Sequence, residues 1–246
     1  MDLFGFNFIK ATDVHMAEHF VSRYKRHKEP LTDDDSLLTD EDMNEVWTNF
    51  EESKIYKKII KSEKFKKACE KRDEYFVSVQ KNWNSYEEVI SKFLKEDMRF
   101  DGSPEKLTVI ITNHGGFCLP EEEIIEWGHW RAEEDPAYDA VYLTHEYLHY
   151  YEYSLSENLG LKTGNVTHAI IENITDVTLS KKLGGTPENY NCHKFTKVAH
   201  KLIDADFQKY LNKKGKFKDM QLSDFFVYCS EKYHKKEEKL SAEQEK

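Results

Sequence analysis

Two histidines separated by three residues, in the run HEYLH at positions 145–149, constrain this chain of 246 residues more than any other feature. Side chains four apart on an α-helix lie one turn apart on the same face. The pattern therefore asks for a helix across YLTHEYLHYYEY, residues 142–153. On such a helix both imidazoles reach one ion, and Glu146, offset by one position, faces a water without ligating the metal. Zinc takes nitrogen and oxygen ligands in a tetrahedral set, and a reactive site keeps one position for water. His145 and His149 are therefore insufficient, and a third protein ligand is needed. The bland alternative is a pair of packed or surface histidines on a tyrosine-rich helix.

The surroundings predict a mostly helical chain with few strands. Only 5 prolines and 10 glycines punctuate it, and no repeat or Pro/Gly/Ser linker is visible. Residues 12–97 read as helical, with an N-cap at Thr39 before DEDMNEVWTNF and a second Ser cap at Ser85 before YEEVISKFLKE. The texture changes near residue 101. LTVIIT, residues 107–112, is a short β-branched strand, and EEIIEWG, residues 122–128, reads as another. Asp135 and Pro136 start the helix that carries HEYLH. A second apolar helix, THAIIENITDVTLSKKLG, is capped by Asn165 or Thr167 and stops near Gly184 and Gly185. Two more helices follow, near residues 191–213 and 223–236, and the charged tail 235–246 is expected to be disordered.

Bulk properties exclude several classes of function. With 36 basic and 46 acidic residues the net charge is −10, which disfavours nucleic acid and anionic membrane surfaces as partners. No stretch approaches the ~20 apolar residues of a membrane helix. The start MDLFGFNFIKATDVH has no basic n-region, apolar run or small-residue cleavage site, so a cytoplasmic location is expected. Cys69, Cys118, Cys192 and Cys229 are scattered without a CxxC pair, which argues against a disulfide framework or a cysteine zinc site.

The third ligand is sought in IIENITD, residues 170–176. Glu172 lies 23 positions past His149, with Asp176 four further on. HEYLH followed by Glu-x-x-x-Asp on the next helix resembles the gluzincin, thermolysin-like zinc metallopeptidases. GGFCLP, EEIIEWG and the HEYLH helix also follow one another in the order of that group's edge strand, next strand and active helix. The resemblance covers residues 105–180 and implies His145, His149 and Glu172 as ligands of one zinc ion per chain. It gives Asp176 the role of holding the other ring nitrogen of His145. It implies Glu146 as the base that activates water for peptide-bond hydrolysis. Gly115, Gly116 and Phe117 would offer backbone groups to an extended peptide. His168, one turn before Glu172, competes as third ligand or walls the pocket.

The oxyanion donor is less defined. Thermolysin-like enzymes carry a tyrosine about a dozen residues past HExxH, where this chain has SENLGLKTG. Tyr190, His193, His200, Tyr210 and Tyr228 come later, and His200 is preferred because its helix could wall the cleft. GGFCLP also lacks the GxMEN-type motif of the aminopeptidase members, which points to an endopeptidase or a narrow processing enzyme acting on a peptide or protein.

The expected architecture is α+β and predominantly helical. A zincin-like core over 101–185 combines a small twisted sheet, the active-site helix and the glutamate-ligand helix. A helical region over 1–100 and another over 186–234 flank it, and all of it can form one unit. Two other readings stand beside the peptidase. One is a zinc-binding regulatory or scaffold protein with little or no turnover. The other is a helical interaction protein without metal.

Overall fold

A computed structural model describes residues 4–27, 49–103, 105–112, 116–128, 135–190 and 192–244. The architecture is α+β and predominantly helical, with one small mixed sheet. Strands β1 (Asn7–Lys10), β2 (Thr108–Thr112), β3 (Phe117–Leu119) and β4 (Ile124–Gly128) lie in the order β1-β2-β4-β3. β1, β2 and β4 run parallel, and β3 is an antiparallel edge strand on β4. β2 and β4 are the β-branched runs read from the sequence. β1 was not expected: it is short, mostly exposed, and meets its partner a hundred residues away.

The helices are α1 (Asp13–His27), α2 (Lys54–Ile59), α3 (Glu63–Lys92), α4 (Ala137–Leu159), α5 (Asn165–Glu172), α6 (Lys197–Leu211) and α7 (Leu222–Gln244). The side chains of Ser53 and Ser62 cap α2 and α3 by accepting from the amides of Tyr56 and Phe65. Ser85 does not start a helix. It sits inside α3, where its hydroxyl bonds back to the Lys81 carbonyl at 2.8 Å. The Val46 stretch of the helix expected from Thr39 lies outside the described residues. The tail expected to be disordered instead continues α7 to Gln244, because Glu237 is buried and accepts from Asn165 Nδ2 at 2.8 Å.

The sheet separates two apolar clusters. Val109, Ile111, Ile125 and Trp127 face α3 and α4 in the principal core, which also takes in α5, α6 and α7. Phe4 from the N-terminal segment packs edge-on against Trp83 of α3 and Tyr147 of α4, so residues before 100 are built into this core. Ile110 points the other way, into a smaller cluster with Met16, Ala17, Phe20, Ile55, Ile59 and Phe65. The 30-residue α3, about 45 Å long at 1.5 Å per residue, spans both clusters. Its buried Arg72 donates to the Ala11 carbonyl and to Asp13, which fixes the start of α1. No helix among the described residues is long and apolar enough to cross a membrane.

Candidate metal centre

Helix α4 begins where Asp135 Oδ1 accepts from the Ala137 amide, directly after Pro136. Most of its residues are buried, including His145 and Glu146. The spacing of the histidines brings His145 Nε2 and His149 Nε2 to 3.2 Å from each other. Two donor atoms on a tetrahedral zinc, each about 2.0–2.1 Å from it, stand ~3.3 Å apart.

Both opposite ring nitrogens are occupied. His145 Nδ1 lies 3.3 Å from Asp176 Oδ1 and 3.2 Å from the Thr175 hydroxyl. His149 Nδ1 lies 3.0 Å from Glu152 Oε2. An Nδ1–H that donates to a carboxylate leaves Nε2 with its lone pair, so both carboxylates select the ligand tautomer. Glu152 accepts in addition from the Thr167 hydroxyl at the start of α5. Nothing in the HEYLH motif singles out Glu152; its signal is a carboxylate three residues past His149 on a buried stretch of helix.

Asp176 reaches His145 from a π-helical stretch, Asn173–Leu179, that continues α5. Wider turns of this kind cluster at functional sites.

The third position differs from the expectation. His145, His149 and His168 each offer a nitrogen within 4.8 Å of the other two. The groups that contain Glu172 are His168–Glu172–His193 and Glu172–Cys192–His200, and neither includes His145 or His149. The Glu172 carboxylate is fully buried and already engaged. Oε1 accepts from the His193 amide at 2.5 Å and from His193 Nδ1 at 2.7 Å. Oε2 accepts from the Thr196 hydroxyl at 2.6 Å and from His200 Nε2 at 2.7 Å. Burial alone would raise this carboxyl, but those bonds outweigh it and hold it well below the usual range.

Charge sorts the remaining histidines. Burial, then the neighbouring His149 and His145, push the His168 pKa down to about 3, so the ring is neutral and can ligate. His193 moves the other way, raised chiefly by its hydrogen bond to Glu172. It is half exposed.

These groups line a cleft of about 500 Å³ together with Glu146, Glu152, Tyr153 and the backbone side of β3, from Gly116 to Cys118. β3 is at the sheet edge and Phe117 is 39% exposed there. Gly115 lies outside the described residues. Gly116 is required by packing, since a Cβ there would stand 2.3 Å from the Trp127 ring. His200 is turned onto Glu172 and does not line the cleft, whereas His193 does. Two other late candidates serve the framework: Tyr210 donates to the Met98 carbonyl and Tyr228 to Asp206.

No family model, curated protein or solved structure matches the chain. The functional reading therefore rests on the arrangement of these side chains.

Proposed function

We propose that the protein is a zinc-dependent metallopeptidase with a zincin-like core, acting as an endopeptidase or narrow processing enzyme. The observation that carries this reading is the His145–His149 pair. Two Nε2 atoms stand 3.2 Å apart, and a buried carboxylate holds the other nitrogen of each ring. A nitrogen-rich, carboxylate-backed set of this kind suits zinc, although cobalt, manganese or nickel also fit such ligands. A zinc ion held there would supply Lewis acidity to a scissile carbonyl and acidify a water molecule.

The chain's own groups would do the rest. His145, His149 and His168 hold the metal in the arrangement described, with Asp176 and Glu152 fixing the first two rings. Glu146 lines the cleft beside them, takes the proton from water and returns it to the leaving amine. β3, the outer strand of the sheet among the described residues, offers its edge to an extended peptide as an added strand. His193, on the cleft wall and tied to Glu172, is better placed than His200 to donate to a developing oxyanion.

Glu172 remains the ligand that the thermolysin-like pattern implies, but to serve it would have to release His193, Thr196 and His200. Zinc binding to the His168→Ala and Glu172→Ala variants separates the two. Loss in His168→Ala with retention in Glu172→Ala is expected; the reverse assigns the third position to Glu172. Zinc-loaded wild type should cleave a peptide library and Glu146→Gln should not. A wild type that binds zinc but cleaves no peptide would leave a regulatory zinc protein in place of the enzyme.

A further inference from the structure

A second group of metal-ligating side chains lies on the other face of the sheet. His15 and His19 are four apart on α1, in the run HMAEH, and their Nε2 atoms stand 3.1 Å from each other. Glu126 of β4 points away from α4 toward them. Its Oε1 is 3.0 Å from His15 Nε2 and its Oε2 is 2.9 Å from His19 Nε2. These three residues form one of the groups whose donor atoms all lie within 4.8 Å.

We propose that His15, His19 and Glu126 bind a second transition-metal ion that clips α1 to the sheet. The donor set is two imidazole nitrogens and one carboxylate, the mixture that zinc and its neighbours prefer. The separations are close to the ~3.3 Å edges of a tetrahedral site. They need to open by only a few tenths of an ångström.

A simple ion pair explains less. Glu126 is 5% exposed in the interior of a strand whose neighbour on that face is Ile110. A buried carboxylate needs a partner, but one cation would suffice. Here two rings converge on it through the same nitrogen, one on each carboxylate oxygen, which is more than neutralising a single carboxylate requires. The histidine side chains are 27% and 19% exposed, so an ion can enter from solvent and keep a water as its fourth ligand.

The position gives the ion a structural consequence. Glu126 is the β4 partner of Phe117 on β3, the strand that edges the cleft. The start of α1 is already fixed by Arg72. A metal at Glu126 would tie the first two turns of α1 to the back of the cleft wall.

The test is independent of the HEYLH reading. Full-length protein is stripped with chelator, reloaded with zinc, desalted, and its zinc counted by plasma mass spectrometry. Wild type is expected to hold two ions per chain, and the His145→Ala/His149→Ala and Glu126→Gln variants one each. A Glu126→Gln protein with the wild-type count overturns the proposal. So does a folded His145→Ala/His149→Ala protein with no zinc. One ion in wild type that only Glu126→Gln removes would uphold this site and remove the catalytic one. The comparison of wild type with Glu126→Gln suffices if the double variant fails to fold.

Discussion

Glu152 gives the sharpest check on the proposed metal centre, because its effect is read in metal affinity and needs no substrate. The carboxylate is 6% exposed and accepts from His149 Nδ1 at 3.0 Å and from the Thr167 hydroxyl. With that acceptor present, the ring proton stays on Nδ1 and Nε2 presents a lone pair beside His145 Nε2. Glu152→Ala removes the acceptor. The His149 ring is then free to carry its proton on Nε2, where a ligand must have none. Losing such an outer partner costs ~10–100-fold in metal affinity, which is about 1.4–2.7 kcal/mol at 1.36 kcal/mol per decade. The start of α5 should survive, since Thr167 still accepts from the Gly164 amide at 2.9 Å and its freed hydroxyl proton can turn to the Gly164 carbonyl. Glu152→Gln keeps an oxygen that can accept and should fall between the two. Competition for zinc against a chromophoric chelator, with circular dichroism on each variant, measures this. A folded Glu152→Ala protein that binds zinc within about threefold of wild type would refute the tautomer argument.

Three further outcomes are expected. Glu146→Gln should keep its zinc while peptide hydrolysis falls ~10²–10⁴-fold, because it removes a base but no ligand; unchanged turnover would remove Glu146 from the mechanism. Gly116→Ala should destabilise the fold by about 1–3 kcal/mol in urea denaturation. The new Cβ would stand 2.3 Å from a Trp127 ring whose Nε1 is held by Asp139 at 2.9 Å; a wild-type midpoint would mean that the ring gives way. Metal-stripped protein should melt highest at mildly acidic pH. Burial raises the Glu126 carboxyl, but hydrogen bonds from His15 and His19 pull it down to about 2, so its contribution is present above its ordinary 4.5 and lost as pH falls toward 2. His15 is raised from 6.5 chiefly by its bond to Glu126, so its contribution is complete below 6.5 and fades as pH climbs through the raised value. A melting temperature that does not fall on the acid side, or does not fall on the alkaline side, would break this account, and Glu126→Gln should flatten the profile.

What the sequence made legible was local. Helical spacing alone puts His145 and His149 on one face, and β-branched runs mark β2 and β4, because those signals need only near neighbours. Residues whose role depends on distant partners were hidden. β1 is four residues that become a strand only by pairing with β2. Glu126 reads as one more acid in EEEIIEWG until α1 supplies His15 and His19 from over a hundred positions away. Glu172 shows the limit most clearly. Its spacing gives the helix face, but the loop and helix after residue 190 bring His193, Thr196 and His200 to the carboxylate first. That competition is tertiary, and no window around IIENITD contains it.

The same competition bears on why the cleft is so rich in histidine. His168 stands among His145, His149 and His193, with ring centroids 4.6–5.3 Å apart. Four imidazoles packed this closely cannot all be charged, since each proton repels the next. The carboxylates divide them. Glu172 draws a proton toward His193 at the cleft wall. Asp176 and Glu152 hold their protons on the far side of His145 and His149. His168, with the least help from a carboxylate at 3.7 Å from Glu172, is left neutral. The result is a neutral His168 beside two rings whose far nitrogens face carboxylates, with His193, raised by its bond to Glu172, at the cleft wall. Polar atoms gathered this closely, with His145 fully buried among them, are costly unless something satisfies them. A divalent cation would satisfy three of them at once, which is the ground for proposing His168 rather than Glu172 as the third ligand.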